Sequence, residues 1–361
     1  MKSTIKGVRI TGMCAAVPPH RHSFMEDPGI FTPEEAQKLL DGTGVHSRRI
    51  LPIHLCASDM CLAAAEALLG DLGWKGSDVD ILIFVSQDAD YPLPATACVL
   101  QRRLGLSETA AAFDVSLGCS GFIYGAWLAS TLLAASDGNR AIVLCGDTST
   151  RHLVPGDRST LPLFGDAGVA VAFEKKEDAS PMVFDVGTDG NGASHILVKA
   201  GGRRVPTIPD TEPFSEAHRT QLFKEARLKL DGPAVFAFTL KVVPRLVQQT
   251  LEAAGVNLEE VDHFVMHQAN KFILEHLRKK ANIPKEKYLI DMHDFGNTSS
   301  ASVPLAICHR LSEDLSLTSR KVFMAGFGVG WSWGALLTDI GPIVRPRIVQ
   351  IPDNFARLEL K

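Results

Sequence analysis

Short, uninterrupted apolar runs alternate along this chain with longer stretches whose apolar residues recur every three or four positions. The runs 80–86, 141–145, 169–173, 262–266 and 321–325 are the length of buried strands. The stretches 57–70, 120–136, 240–254, 270–281 and 301–313 carry the helical period. Near the start, Val8 to Val17 alternates as a strand does before Pro18-Pro19, and Lys6 and Arg9 interrupt what could otherwise imitate a secretion signal. Strands and helices in alternation predict an α/β fold in which helices cover sheets. No run approaches the ~20 apolar residues of a membrane span.

The pattern occurs twice. Leu72-Gly-Trp-Lys-Gly-Ser-Asp-Val-Asp-Ile-Leu-Ile-Phe-Val85 lines up with Ala254-Gly-Val-Asn-Leu-Glu-Glu-Val-Asp-His-Phe-Val-Met-His267 at an offset of 182. Arg140-Ala-Ile-Val-Leu-Cys-Gly146 lines up with Arg320-Lys-Val-Phe-Met-Ala-Gly326 at an offset of 180, which also sets Cys119 opposite Ser299. Near-constant offsets predict two copies of one α/β unit, with residues 1–183 as the first half and 236–361 as the second. Between them, 184–235 forms a connection whose Gly- and Pro-punctuated part, 201–213, precedes a charged stretch, 216–229. This connection reads as a loop and a surface helix, either a lid over a site or a solvated excursion.

Composition narrows the function. A net charge of −4, from 37 Lys and Arg against 41 Asp and Glu, provides no global basic field for nucleic acid. Small-molecule or carrier-bound substrates fit better. The seven cysteines are scattered, odd in number and without CxxC spacing, which argues against a disulfide framework and a zinc site and suits a reducing cytoplasm.

Three segments concentrate chemistry among small residues: Asp114-Val-Ser-Leu-Gly-Cys-Ser-Gly121, Phe264-Val-Met-His-Gln-Ala-Asn270 and Phe295-Gly-Asn-Thr-Ser-Ser-Ala-Ser302. Cys119 falls where a strand gives way to a helix. Unpaired N–H groups and the positive end of the helix dipole there are expected to lower a thiol's pKa. Small neighbours admit backbone N–H groups to an acyl oxygen. His267 ends an apolar strand, and Asn297 follows Gly296 in a tight turn. An imidazole and an amide together can hydrogen-bond a thioester oxygen as an enolate forms.

These segments, in this order, with the closing Gly326-Phe-Gly-Val-Gly-Trp-Ser-Trp-Gly334, resemble the signatures of the β-ketoacyl-acyl-carrier-protein synthase III family of thiolase-superfamily condensing enzymes. The resemblance implies a five-layered αβαβα thiolase fold, a homodimer, and no tightly bound cofactor. It implies Cys119, His267 and Asn297 as the catalytic set, with an oxyanion hole from the N–H groups of Cys119 and Gly330. Acyl groups would pass from a coenzyme A or acyl-carrier-protein thioester to Cys119, and malonyl carrier protein would lose carbon dioxide and condense with them. Arg158 and Asn270 would contact the donor, Arg278, Lys279 and Lys280 the carrier protein, and Leu93 would close the acyl pocket of a partner subunit.

The chain departs from the family where its simplest members hold the adenine of coenzyme A, because Lys38 and Gly42 stand in place of a tryptophan and an arginine, and Phe272 replaces another arginine. The donor therefore need not be acetyl-coenzyme A. A second reading is a same-fold acyltransferase that forms an ester or amide without decarboxylation, and a third is a catalytically silent subunit. Asn297 favours condensation, since an enolate calls for two donors.

Overall fold

The computed structural model describes residues 1–23, 30–206 and 216–356. Two six-stranded sheets form its frame. In chain order the strands are β1 (Lys2–Ile5), β2 (Val8–Val17), β3 (Ile81–Val85), β4 (Ala111–Val115), β5 (Arg140–Asp147), β6 (Ala167–Lys175), β7 (Met182–Thr188), β8 (His263–Met266), β9 (Tyr288–Leu289), β10 (Arg320–Gly328), β11 (Ser332–Ile340) and β12 (Arg347–Gln350). The first sheet runs β12-β2-β6-β5-β3-β4 and the second β1-β7-β11-β10-β8-β9. Position for position, β2-β6-β5-β3-β4 repeats as β7-β11-β10-β8-β9, which is the duplication expected from the two offsets.

The halves are interlocked at their edges. β1 pairs antiparallel with β7 of the second sheet, and β12 returns to pair parallel with β2 of the first. The boundary placed after residue 183 falls inside β7.

Helices make the other three layers. α2 (Ala57–Leu72) and α3 (Thr96–Arg103) cover the outer face of the first sheet, while α6 (Gly232–Ala254) and α7 (Lys271–Lys280) cover that of the second. α4 (Gly121–Ala135) and α8 (Ser302–Arg310) lie between the sheets. The central pair is apolar on several faces, as a helix packed on both sides must be. Phe122, Ile123, Ala126, Val303, Leu305 and Ile307 share one core with inward residues of both sheets. The result is the five-layered αβαβα arrangement.

Some elements differ from their sequence pattern for local reasons. α6 begins at Gly232 rather than 240, because Asp231 caps it with a side chain that accepts from Ala234 N–H at 3.0 Å. The Gly-Pro pair that reads as a breaker suits a first turn, where proline lacks only an N–H with no helical partner. The pattern 301–313 divides at Leu311, whose φ of −113° ends α8 before α9 (Ser312–Leu317) begins. The glycine run 326–334 is mostly strand: it ends β10, turns at 329–331 and starts β11. In the connection, α5 spans Glu216–Glu225, and 207–215 lie outside the described residues.

Candidate active site

β4 hands over to α4 through Ser116-Leu117-Gly118, placing Cys119 just before Ser120, the N-cap of the helix. Gly118 permits a close approach there, since a Cβ on it would lie 2.2 Å from Gln87 Oε1 and 3.2 Å from Ser299 Oγ. The β10–β11 hairpin closes the other side. A Cβ at Gly328 would sit 2.8 Å from Cys119 Cβ and 2.9 Å from its Sγ. Backbone N–H groups of Val329 and of Cys119 itself face the sulfur. The hairpin N–H that faces the thiol itself is that of Val329. At Gly330 the chain is already turning into β11.

His267 follows β8 directly, anchored by its N–H donating to Ala325 O at 2.7 Å. Its ring is buried, edge-on to Phe327, with Nδ1 2.7 Å from Ser302 Oγ. Burial holds its pKa down to about 4, partly offset by the Ser299 carbonyl, so the imidazole is neutral at pH 7. We assign the tautomer from this network: the Ser302 hydroxyl donates to Nδ1, leaving the proton on Nε2. Ser302 begins α8, the central helix of the second half.

Asn297 is held by its backbone, with its N–H donating to Leu163 O at 2.7 Å and its carbonyl accepting from Gly165 N–H at 3.1 Å. Its Oδ1 accepts from Ser299 N–H at 2.9 Å, which leaves Nδ2 as the group to donate to a ligand. Ser299 is the residue that joins the set. It adopts a left-handed φ of 52°, its carbonyl opposes the lowering of the His267 pKa, and its hydroxyl favours the ionised form of Cys119. Sequence reasoning found no role for Ser299, although the offset of 180 that sets it opposite Cys119 was the available signal.

Burial pushes the Cys119 pKa up to about 11; the Val329 N–H lowers it and the carboxylate of Asp147 raises it. Desolvation and a nearby negative charge oppose the lowering that a helix N-terminus favours. Cys119 is partly exposed to an approaching ligand.

The remaining candidates are dispersed. Asn270 is the N-cap of α7, its Oδ1 accepting from Ile273 N–H at 2.8 Å, so its oxygen is committed to the helix. Arg158 pairs with Glu35 at 2.7 Å and lies over the Phe31 ring. Arg278 is drawn into Glu275 and the Ile283 carbonyl, leaving Lys279 and Lys280 exposed at the end of α7. Leu93 is 78% exposed on the loop after β3. Phe272 is exposed and packs with Phe236 and His276. Among the described residues no cluster of side chains could hold a metal ion, and no helix is long and apolar enough to cross a membrane.

Residues 113–190 match the profile of 3-oxoacyl-[acyl-carrier-protein] synthase III, and 251–340 match that of its C-terminal region. A β-ketoacyl-[acyl-carrier-protein] synthase III of Symbiobacterium thermophilum is 32% identical over 341 residues, covering 92% of this chain and 98% of the relative. A crystal structure of a 3-oxoacyl-(acyl-carrier protein) synthase from Burkholderia xenovorans LB400 superimposes with a TM-score of 0.90 at 36% identity, over 97% of this chain and 99% of that one. That of a 3-oxoacyl-(acyl carrier protein) synthase III from Pseudomonas aeruginosa PAO1 gives 0.79 at 29% identity, over 94% and 100%. Duplicated sheets around two central helices, with a cysteine turn at the start of one, place the chain among thiolase-fold condensing enzymes. Within that class it belongs to the β-ketoacyl-[acyl-carrier-protein] synthase III family, and it is an acyltransferase.

Proposed function

We propose that the enzyme transfers an acyl group from a thioester to Cys119 and then condenses it with malonyl carrier protein, releasing a β-ketoacyl thioester and carbon dioxide. In the first half, the sulfur attacks the donor carbonyl, and the N–H groups of Cys119 and Gly330 receive the developing oxyanion. In the second, Nε2–H of His267 and Nδ2–H of Asn297 hydrogen-bond the malonyl thioester oxygen. The carboxylate leaves as carbon dioxide, and the resulting enolate carbon attacks the acyl-cysteine, whose sulfur departs. The observation that carries this reading is the polarity of the two donors. A neutral imidazole with its proton on Nε2, beside an amide whose oxygen is already engaged, suits an enolate and not a general base. The same feature disfavours acyl transfer to an alcohol or amine, which gives Asn297 no part.

Coenzyme A or carrier-protein thioesters serve as substrates and no cofactor is tightly bound. Lys279 and Lys280 would meet the acidic carrier protein. Lys241 and Arg245, which line a cavity of about 570 Å³ bordered by Trp331, are a second cationic approach. A homodimer is supported by the edge of β4, which among the described residues pairs only with β3, and by the exposure of Leu93, which would close a partner's pocket. Seven free cysteines agree with a cytoplasmic location.

Separating the half-reactions tests the assignment. His267→Ala and Asn297→Ala should each slow decarboxylation of malonyl thioester by about 10²–10³-fold while leaving acylation of Cys119 within a few-fold. Equal losses in both half-reactions would refute the division of labour.

A further inference from the structure

The β10–β11 hairpin serves two surfaces. Gly328 faces the thiol, a Cβ there falling 2.9 Å from Cys119 Sγ, whereas Trp331, three residues on, borders the groove of about 570 Å³ that runs along α6. From Ala234 to Gln249 the helix lines this groove for roughly 22 Å, and the volume is that of a small-molecule site. Its floor is aromatic. The Trp331 ring is stacked between His195 and Phe238 at centroid distances of 5.3 and 4.5 Å, and Trp333 packs tilted on Phe238 at 6.0 Å. Glycines make room for both indoles: a Cβ at Gly192 would run into the Trp331 ring, and one at Gly187 would fall 2.5 Å from that of Trp333.

The polar groups around this floor are donors in want of an acceptor. Lys241 and Arg245 stand one helical turn apart on α6, exposed, and both border the groove. Among the described residues neither forms a hydrogen bond or an ion pair, and neither indole N–H donates to a protein acceptor. Like charges at i and i+4 repel at a cost to the helix, which a bound anion relieves. The nearby carboxylates are engaged elsewhere. Asp189, beside Trp331 at the other end, accepts from Asn191 N–H at 3.0 Å and from its Nδ2 at 2.8 Å. Asp231 caps α6 and meets His195 Nδ1 at 3.1 Å.

We propose that this groove binds a small amphipathic carboxylate, with its head between Lys241 and Arg245 and its apolar chain over Val242, Phe238 and Trp333 toward Trp331. The two unpaired cations select an anion, and the aromatic floor selects an apolar body. The site is separate from the space in front of Cys119, to which the same hairpin presents Gly328, and it stands whether or not the condensation reading holds.

The test is calorimetric titration of octanoate into the whole enzyme at pH 7.5, with octanol and octyltrimethylammonium as neutral and cationic counterparts. It is run on the wild type, on Lys241→Gln/Arg245→Gln, and on Ala237→Trp, which fills the groove from an exposed position, with unfolding midpoints and solution masses recorded. The wild type is expected to bind octanoate about tenfold or more tightly than either counterpart, in a salt-dependent manner. Both variants should weaken octanoate by about tenfold or more, and the double variant should lose the salt dependence. No octanoate binding, equal binding of the three amphiphiles, or an affinity within about threefold of wild type in both variants overturns the proposal. A raised KM for malonyl carrier protein, or a changed solution mass, in a double variant that still binds octanoate as the wild type does would assign the face to the carrier or to a second copy of the chain, and overturns it equally.

Discussion

His267 should make the fold sensitive to acid, by an amount that can be worked out beforehand. In the unfolded chain a histidine binds its proton near 6.5, whereas the buried ring holds off protonation until about 4. Between those values the unfolded state binds a proton that the folded state refuses, so stability falls as pH drops. The contribution is intact above 6.5, decreases through the window and levels off below about 4. At about 1.4 kcal/mol for each tenfold, the full loss is roughly 3 kcal/mol, and at pH 5 about 2 kcal/mol of it has been spent. Asp147 and Asp166, both pushed up to about 6 by burial, act in the opposite direction over the same range. The comparison must therefore be between wild type and His267→Gln, which share those carboxyls. Urea unfolding at pH 7.5 and pH 5.0, with equal slopes, should give a stability difference between the two proteins that shifts by about 2 kcal/mol in favour of the variant at the lower pH. Parallel curves at the two pH values would refute the claim that His267 is buried and neutral, and with it the argument that it serves as a donor.

Three further outcomes are expected. Ser302→Ala removes the hydroxyl that fixes the His267 tautomer; condensation should slow by about tenfold or more while acylation of Cys119 holds, as separate half-reaction rates would reveal. Gly326→Ala would place a Cβ 2.6 Å from the Cys119 carbonyl oxygen and 2.8 Å from Ser120 Cα, both backbone atoms that cannot step aside, so the unfolding midpoint should drop by the equivalent of about 1–3 kcal/mol and acylation should be impaired. Asn270→Ala should cost about 0.5–2 kcal/mol in stability with little change in donor KM, because the side chain caps α7; a large KM effect with unchanged stability would restore it as a donor contact.

Much of the fold was legible because the apolar runs are short, buried and repeated. The offsets of 182 and 180 correspond to β3 with β8 and β5 with β10, the parallel centre of each sheet. β7 and β11 were not singled out, since glycines at 187 and 334 interrupt their apolar pattern; Gly334 is needed where Ile123 of α4 crosses β11 at close range. The three motif residues were legible from their turns. The charges around them were not, because Asp147 is far from Cys119 in sequence and reaches it only through β5 and the Ser299 turn. The cationic run 278–280 divides because a helix directs Arg278 inward while its two successors face water.

The central claim is that Cys119 carries the acyl group and surrenders it to a malonyl-derived carbanion. Intact-mass analysis of the protein and its Cys119→Ala variant, after incubation with a panel of acyl-coenzyme A and acyl-carrier donors and then with malonyl carrier protein, tests it most directly. A single acyl adduct, absent in the variant and discharged by malonyl carrier protein to a β-ketoacyl product, is the predicted result. An adduct that malonyl carrier protein cannot discharge, or one that persists in the variant, would contradict it.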